Sequence, residues 1–415
     1  MIKAVTGTKD ILPADIPKWK YLEKIIESVF ARFNYKEIRT PVFEETVLFS
    51  RGIGEETDIV GKEMYSFLDK GKTSLTLKPE MTASVMRAFI EHSLASKQPL
   101  VKLFYIAPMY RQEKPQAGRL REFHQFGAEA LGSSSPLLDA EMIQMSYHIL
   151  REAGLKDLNI KINSLGIPDS REKYKKILYK FLEVKKNKLS EESRKRIEKN
   201  ILRIFDSKEK SDQEMLKDAP LLIDHIDPES KNDFEEVKKL LTAAGIKFEI
   251  DPKLVRGLDY YTKTTFEIIS GKVGSQNALC GGGRYDLLAE QLGSKSVPGV
   301  GFAAGMERIL LACEAENSFR IPEEKIDLYL IKIDKELTSI VFEVASLLRR
   351  KNLSVDFDYL ERSVKAQMRE ANRLNAKNVL IIGGDEYKSG SYTLKNMSSG
   401  EQKLLPIDKL DSISI

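Results

Sequence analysis

The chain has 415 residues, 42% apolar and 31% charged, with 66 Lys+Arg against 62 Asp+Glu for a formal charge of +4. This composition excludes global disorder, and the length predicts two to four globular domains at roughly 100–200 residues each. The two cysteines, Cys280 and Cys313, lie outside any CxxC spacing; neither a disulfide framework nor a structural zinc site is expected, and a reducing compartment fits.

The N-terminal sequence MIKAVTGTKDILPADIP has no apolar core of signal-peptide length, and no apolar run elsewhere reaches the ~18 residues of a membrane span. A cytoplasmic protein without a membrane partner is expected. Trp19, Leu22, Ile25, Ile26, Val29, Phe30 and Phe33 then form one helical stripe over 15–35, with Asp15 and Pro17 as start signals. Around Tyr35 to Phe43 the pattern becomes extended, and Pro41 there suits an edge strand. Residues 99–131 read as strand, loop, strand: VKLFYIAPMYR and EFHQFGAEAL flank EKPQAGRLR, which predicts an antiparallel hairpin with a polar tip free to contact a ligand.

Helical spacing returns over 137–153 and a strand is expected at 157–163. Helices then run to about residue 243, in a block that looks inserted. Its stretch 171–210 holds fifteen Lys+Arg against seven Asp+Glu, which reads either as a solvated helical face or as a surface for nucleic-acid phosphates. A second β series covers 246–250, 262–269 and 276–280, ahead of the Gly-rich CGGGRYD, an extended 297–301 and a helix over 302–314. Residues 320–325 read as a linker. Beyond it, strand 326–333, helix 335–350, strand 353–357, helix 363–375, strand 378–382 and a final extended pair predict a small α/β domain with a mainly parallel sheet.

Gly299-Val300-Gly301-Phe302-Ala303-Ala304 satisfies the dinucleotide pattern G-x-G-x-x-G/A. The residues before it, 293–298, are polar and end in Pro298 where that fingerprint needs a buried strand, so the pattern is read as a decoy. No G-x-x-x-x-G-K-[ST] occurs, and bound phosphates would need arginines. Arg111, Arg119 and Arg121 flank the 112–118 loop, while Arg256 and Arg308 lie near glycines; these guanidiniums either hold phosphates bidentately or form ordinary surface ion pairs.

Strand alternation puts Phe123, Gln125, Gly127 and Glu129 on one face of the hairpin. A ring, an amide, a gap and a carboxylate make a poor core stripe and a good pocket floor. His124 points to the other face and reads as structural. His92, His148 and His225 have no E-x-x-H partner, so no metal site built from protein His or Cys is expected.

The motifs Leu77-Lys-Pro-Glu80-Met-Thr82, Tyr110 to Gln125 (YRQEKPQAGRLREFHQ), Arg256-Gly-Leu-Asp-Tyr260-Tyr261, Gly281-Gly-Gly-Arg-Tyr285-Asp286 and Gly299 to Arg308 occur in that order. With Gly7-Thr-Lys-Asp-Ile-Leu-Pro13 and the stretch from Arg362 to Ile382-Gly-Gly, they resemble bacterial histidyl-tRNA synthetases, of class II, over nearly the whole chain. The resemblance implies an α/β multidomain protein: an antiparallel-sheet catalytic core from 1–166 and 246–322, a helical insertion at 167–245, and an α/β anticodon-binding domain at 323–415. It implies a ligase that activates L-histidine with ATP to histidyl-adenylate and transfers the histidyl group to the 3′ end of tRNA(His), with Mg2+ on the pyrophosphate.

Carried over by motif, Arg111 and the catalytic Arg256 would hold the α-phosphate, Arg119 and Arg308 the outer phosphates, Glu113 the adenine amino group, and Phe123 the adenine ring. Glu80, Thr82 and Gln125 would receive the histidine ammonium, Glu129 and Tyr261 its imidazole, with Tyr260 and Tyr285 in the same pocket. Gln116 and Arg121 would meet the tRNA acceptor end, Arg362, Lys365 and Arg369 the anticodon arm, and the basic insertion the acceptor arm. Lys114 and Met81 depart from many relatives, which carry Arg and Gly there. The resemblance also implies a homodimer through 35–43. Two other readings compete: the regulatory subunit of ATP phosphoribosyltransferase, which normally lacks the C-terminal domain and catalytic arginines, and an RNA-binding protein with a vestigial cleft.

Overall fold

The apolar stripe of the first helix anchors the larger part of the molecule. Ile16–Arg32 buries Leu22, Ile26, Val29 and Phe30, and the Phe30 ring stacks on Phe104 with centroids 4.5 Å apart. The computed structural model describes the chain except residues 1, 55, 56, 58, 200, 208, 256–259, 275, 276, 322 and 413–415. It divides into two units, Met1–Arg320 and Ile321–Ile415.

The first unit is built on an eight-stranded sheet. Its strands lie in the order Lys36–Glu37, Val101–Tyr110, Glu122–Leu131, Gly299–Gly305, Ala278–Arg284, Thr262–Ile269, Asn159–Ser164 and Glu249–Ile250. The six inner strands pair antiparallel, and each edge strand joins in parallel. Helices Ile16–Arg32, Pro136–Glu152, Pro228–Ala243 and Met306–Ala315 bury their apolar residues against one face, around Phe126, Met142, Phe266 and Phe302. The alternation read from the hairpin sorts its residues accordingly: Phe126, Ala128 and Ala130 join that core, while Phe123, Gln125, Gly127 and Glu129 take the other face.

Both glycine runs are strands, which corrects two expectations from the sequence. The strand expected at 276–280 runs on through the glycines as Ala278–Arg284, and 299–305 is a strand followed by a helix that begins at Met306, not at Phe302. The two strands pair with Gly282 opposite Phe302 and Gly283 opposite Gly301. A Cβ on Gly282 would overlap Phe302, so these positions are glycine because the sheet needs bare backbone there. The dinucleotide-like pattern therefore forms no phosphate-binding turn.

A small sheet of Phe43–Glu45, Ser74–Leu77 and Tyr65–Leu68 leads into helix Thr82–Glu91. Helices Pro168–Glu183, Glu191–Lys199 and Lys210–Met215 share an apolar cluster that includes Tyr174, Leu178, Leu189, Ile204 and Leu216. Asp212 is its polar hub, accepting hydrogen bonds from the hydroxyls of Ser190 and Ser193 at 2.6 Å and of Ser207 at 2.7 Å. Helix Pro228–Ala243, at the end of the helical block, returns to the main sheet: Phe234, Val237 and Leu241 belong to the core beside Phe266.

The second unit has strands in the order Val355–Phe357, Leu328–Lys332, Asn378–Ile382, Ser391–Asn396 and Gln402–Pro406, the first three parallel and the last two antiparallel. Helix Thr338–Arg350 packs Val341, Val344 and Leu348 on Leu330 and Leu380, and helix Val364–Arg373 packs Ala371 with Tyr329 and Val379. The two helices thus cover opposite faces, as expected of an α/β sheet. No helix among the described residues is long and apolar enough to cross a membrane.

Candidate active site

The pocket exists because small residues cluster on one face of the sheet. Glu129 pairs with Gly301, Gly127 with Ala303 and Gln125 with Gly305, and the next strand sets Gly281 opposite Ala303. With so little side chain on these strands, a cleft of about 1050 Å³, open mouth included, forms above the backbone.

Two carboxylates close its inner end. Glu80 precedes helix Thr82–Glu91 and accepts from the backbone amides of Thr82 and Ala83, both at 2.8 Å, satisfying orphan donors of the first turn. The Thr82 hydroxyl donates to Glu129 at 2.8 Å, and the Tyr285 hydroxyl donates to the other Glu129 oxygen. Tyr260 reaches Glu80 at 3.5 Å. Burial pushes the Glu80 carboxyl up despite those amides. Burial likewise drives Glu129 to about 8, against the Tyr285 and Thr82 hydroxyls and with help from the Glu80 charge.

Arginines line the outer part. Arg111 donates from Nε to the Pro79 carbonyl at 2.9 Å, and its guanidinium lies 5.3 Å from the centroid of the Phe123 ring. Arg308 donates to the carbonyls of Gly118 at 2.8 Å and Ala278 at 3.0 Å. Glu113 sits between Arg119, at 3.3 Å, and Arg111, at 3.8 Å. Burial pulls the Arg308 guanidinium down from its usual range, and the charges of Arg119 and Arg111 pull it further. Like charges gathered under partial burial make a site whose electrostatics improve when an anion enters.

The hairpin tip is folded rather than loose. Gln116 and Arg119 exchange backbone hydrogen bonds at 3.0 and 2.9 Å around Gly118, which has φ +72°. Arg121 donates to the Glu113 carbonyl at 3.2 Å and to the Thr6 carbonyl at 3.3 Å, pinning the N-terminal segment to the tip. His124 faces away, edge-on to Trp19 and 3.1 Å from Glu307 through Nδ1.

The residues expected to bind nucleotide, Arg111, Glu113, Arg119, Phe123 and Arg308, therefore share one cleft with Glu80, Thr82, Gln125, Tyr260, Tyr261 and Tyr285. Glu129 lies directly beneath. Arg256 lies outside the described residues. Gln116 is exposed at the hairpin tip. In the second unit, Arg362 is held by Asp358 and Glu370, while Lys365 and Arg369 are exposed on helix Val364–Arg373.

Sequence reasoning missed Tyr105, a buried residue opposite Gly127 that lines the cleft, and Gly301, where a Cβ would overlap Glu129. A tyrosine facing a glycine across a hairpin was the available signal. It also missed the buried Arg284–Asp139 pair, which fixes the start of the Tyr285 segment. Among the described residues, no group of three or more His, Cys, Asp and Glu side chains could hold a metal ion.

A model of the histidyl-tRNA synthetase family matches residues 7–309, and one of an anticodon binding domain matches residues 327–413. The histidine–tRNA ligase of Caldanaerobacter subterraneus subsp. tengcongensis is 48% identical over 412 residues, 99% of each chain. That of Halothermothrix orenii is 48% identical over 402 residues, 97% of this chain and 96% of the relative. The apo crystal structure of S. aureus histidyl-tRNA synthetase superposes with a TM-score of 0.83 at 39% identity, covering 99% of both chains.

Proposed function

We propose a residue-level account of the pocket from one premise: the chain belongs to the histidyl-tRNA synthetase family. It activates histidine and charges tRNA with it. ATP is the activating nucleotide. Supporting this, three guanidiniums, Arg111, Arg119 and Arg308, line one cleft whose inner end carries the buried carboxylates Glu80 and Glu129. A triphosphate meets the first group and an amino acid with two cationic or N–H-bearing ends meets the second.

Histidine enters with its ammonium toward Glu80 and the Gln125 carbonyl oxygen, which is buried without a hydrogen-bond partner. Its imidazole reaches Glu129 and Tyr261. A site made of buried polar groups rejects side chains that leave those groups unpaired, by roughly 10⁴-fold or more. Arg111 lies at the junction, since its charge reaches Glu80, and there it holds the α-phosphate beside the histidine carboxylate. The attacking oxygen bonds to that phosphorus as the bond to the pyrophosphate breaks, so positioning and charge neutralisation carry the rate. Phe123 stacks on the adenine, Glu113 accepts from its amino group, and Arg119 and Arg308 take the outer phosphates. Arg256 completes the α-phosphate site. A triphosphate-bound Mg2+ would supply further charge neutralisation and would need few protein ligands, and Glu267, which lines the cleft, is the carboxylate that would hold it.

For tRNA, residues 323–415 form the anticodon-binding domain, with Arg362 braced behind Lys365 and Arg369. Gln116 presents the hairpin tip to the acceptor end, Arg121 holds that tip in shape, and the basic insertion within 167–245 clasps the acceptor arm, the core being 1–166 with 246–322 joined by helix Pro228–Ala243. The exposed apolar residues Val42, Phe43, Val47, Phe67 and Leu68 around the small sheet support a homodimer through that region. The cytoplasm, where tRNA is charged, is its compartment.

The convergence of the three arginines on the carboxylate-lined cleft carries this reading. Histidine-dependent exchange of pyrophosphate into ATP tests it: exchange should appear with histidine and with none of the other standard amino acids. Exchange supported equally by several amino acids, or by none, overturns the pocket assignment.

A further inference from the structure

The loop after strand Val355–Phe357 is braced on every side yet exposes its apolar residues. Asp358, itself buried, accepts from the backbone amides of Leu360 at 3.2 Å and Arg362 at 2.7 Å and from the Arg362 guanidinium. Buried Gln367 donates to the carbonyls of Arg362 at 2.8 Å and Lys332 at 3.0 Å and accepts from the Lys332 amide at 2.9 Å, tying the loop to the neighbouring strand.

On this support Tyr359 and Leu360 are 67% and 71% exposed. The Tyr359 ring packs on one side against Phe357, with centroids 4.5 Å apart and planes tilted 33°, and the Arg349 guanidinium lies 5.5 Å from the Phe357 centroid. The ring is therefore held in place by a ladder beneath it while most of its surface stays bare.

Packing does not explain a fixed, solvent-facing tyrosine next to an exposed leucine, and the surroundings point to a nucleic acid. Helix Val364–Arg373 starts just after the loop and carries Lys365 and Arg369 on one face, four residues apart. Among the described residues these two have no carboxylate partner, whereas Arg362 and Arg373 are both tied to Glu370. An aromatic ring presented rigidly beside free cations suits an unpaired base and its flanking phosphates, because any base offers a π-face and the ordering of the platform has been completed by the fold. The match of residues 327–413 to an anticodon binding domain selects which unpaired bases these are.

We propose that Tyr359, flanked by Leu360, is a stacking platform for a base of the tRNA anticodon loop, with Lys365 and Arg369 on the adjoining phosphates; this rests on the synthetase reading above. The test measures binding of a tRNA(His) transcript by full-length Tyr359→Ala, Tyr359→Phe and Arg369→Ala over a range of salt, alongside histidine-dependent pyrophosphate exchange. Tyr359→Ala should weaken binding roughly 5- to 150-fold with the salt slope unchanged. Tyr359→Phe should stay within about twofold, since the ring face is retained. Arg369→Ala should instead lower the slope of log affinity against log salt by about one.

Tyr359→Ala and Tyr359→Phe should keep exchange at the parent rate. With a transcript whose anticodon-loop bases are replaced by abasic sugars, the parent and Tyr359→Ala should bind alike. The proposal is overturned if Tyr359→Ala binds the intact transcript as tightly as the parent, if Tyr359→Phe loses as much as Tyr359→Ala, or if the loss persists with the abasic transcript. Absence of exchange in the parent chain would be a failure of the underlying synthetase reading instead.

Discussion

The Tyr285 hydroxyl donates to Glu129 across the closed end of the pocket, in a space that Gly301 keeps clear. A Gly301 Cβ would also meet the carbonyl of Ala128 at 2.6 Å, so moving Glu129 alone would not make room for it.

Gly301→Ala should therefore displace Glu129 and lose histidine activation before it loses the fold. Overpacking of this kind costs about 1–3 kcal/mol, so the melting temperature should drop by several degrees while the KM for histidine in exchange rises sharply. An unchanged KM would show that the imidazole end of the pocket lies elsewhere.

Glu129→Gln separates binding from stability. The folded acid titrates near 8, against 4.5 for an ordinary glutamate. Between those values the folded chain keeps a proton that the unfolded chain has released, so this group lowers stability as pH rises from about 4.5 to about 8 and adds no slope beyond. Relative to the parent, Glu129→Gln should gain stability between pH 5 and pH 8.5 in urea unfolding of the ligand-free protein, while exchange collapses. A parent-to-variant difference that stays flat with pH would contradict the assigned titration.

Arg119 and Arg308 should respond differently. Arg119 is engaged by Glu113, whereas Arg308 also holds the carbonyls of Gly118 and Ala278. Arg119→Ala should raise the KM for ATP by roughly 10- to 100-fold, the worth of one charge-assisted contact. Arg308→Ala should cost more and slow the chemical step as well, since the hairpin tip loses its support. Steady-state exchange kinetics at varied ATP distinguish the two, and identical effects would refute the division of labour.

Asp212→Asn should loosen the inserted helices. Burial opposes its charge, but the hydroxyls of Ser190, Ser193 and Ser207 and the Ser190 amide hold the carboxyl down at about 2. That preference contributes about 2 kcal/mol above pH 4, lost as pH falls through 2. The variant should show increased proteolysis within 168–224 and impaired tRNA charging, with exchange comparatively spared.

The hairpin and its pocket face were legible because strand alternation is local: Phe123, Gln125 and Glu129 sort by position alone. The glycine strands were not, because residues without side chains carry no periodicity, and Phe302-Ala303-Ala304 ahead of a real helix reads as helical until pairing with 125–131 is known. Arg121 and Arg362 were visible as cations, but not as braces. Their roles depend on Thr6, Asp358 and Glu370, and no spacing rule reports which carboxylate or carbonyl a guanidinium will meet. The Arg256 segment falls outside the described residues, so its place beside Arg111 rests on the motif.

The strand order of the main sheet has a consequence for how the enzyme is born. Glu122–Leu131 must lie between Val101–Tyr110 and Gly299–Gly305, so one wall of the reactive cavity leaves the ribosome long after the other. Until the late strand docks, the early hairpin has an open edge with its acidic residue uncovered, and the whole helical block is synthesised in the interval. Pairings so distant in sequence form slowly. The nascent chain thus has no partly competent stage, and its waiting edge is where premature self-association would start.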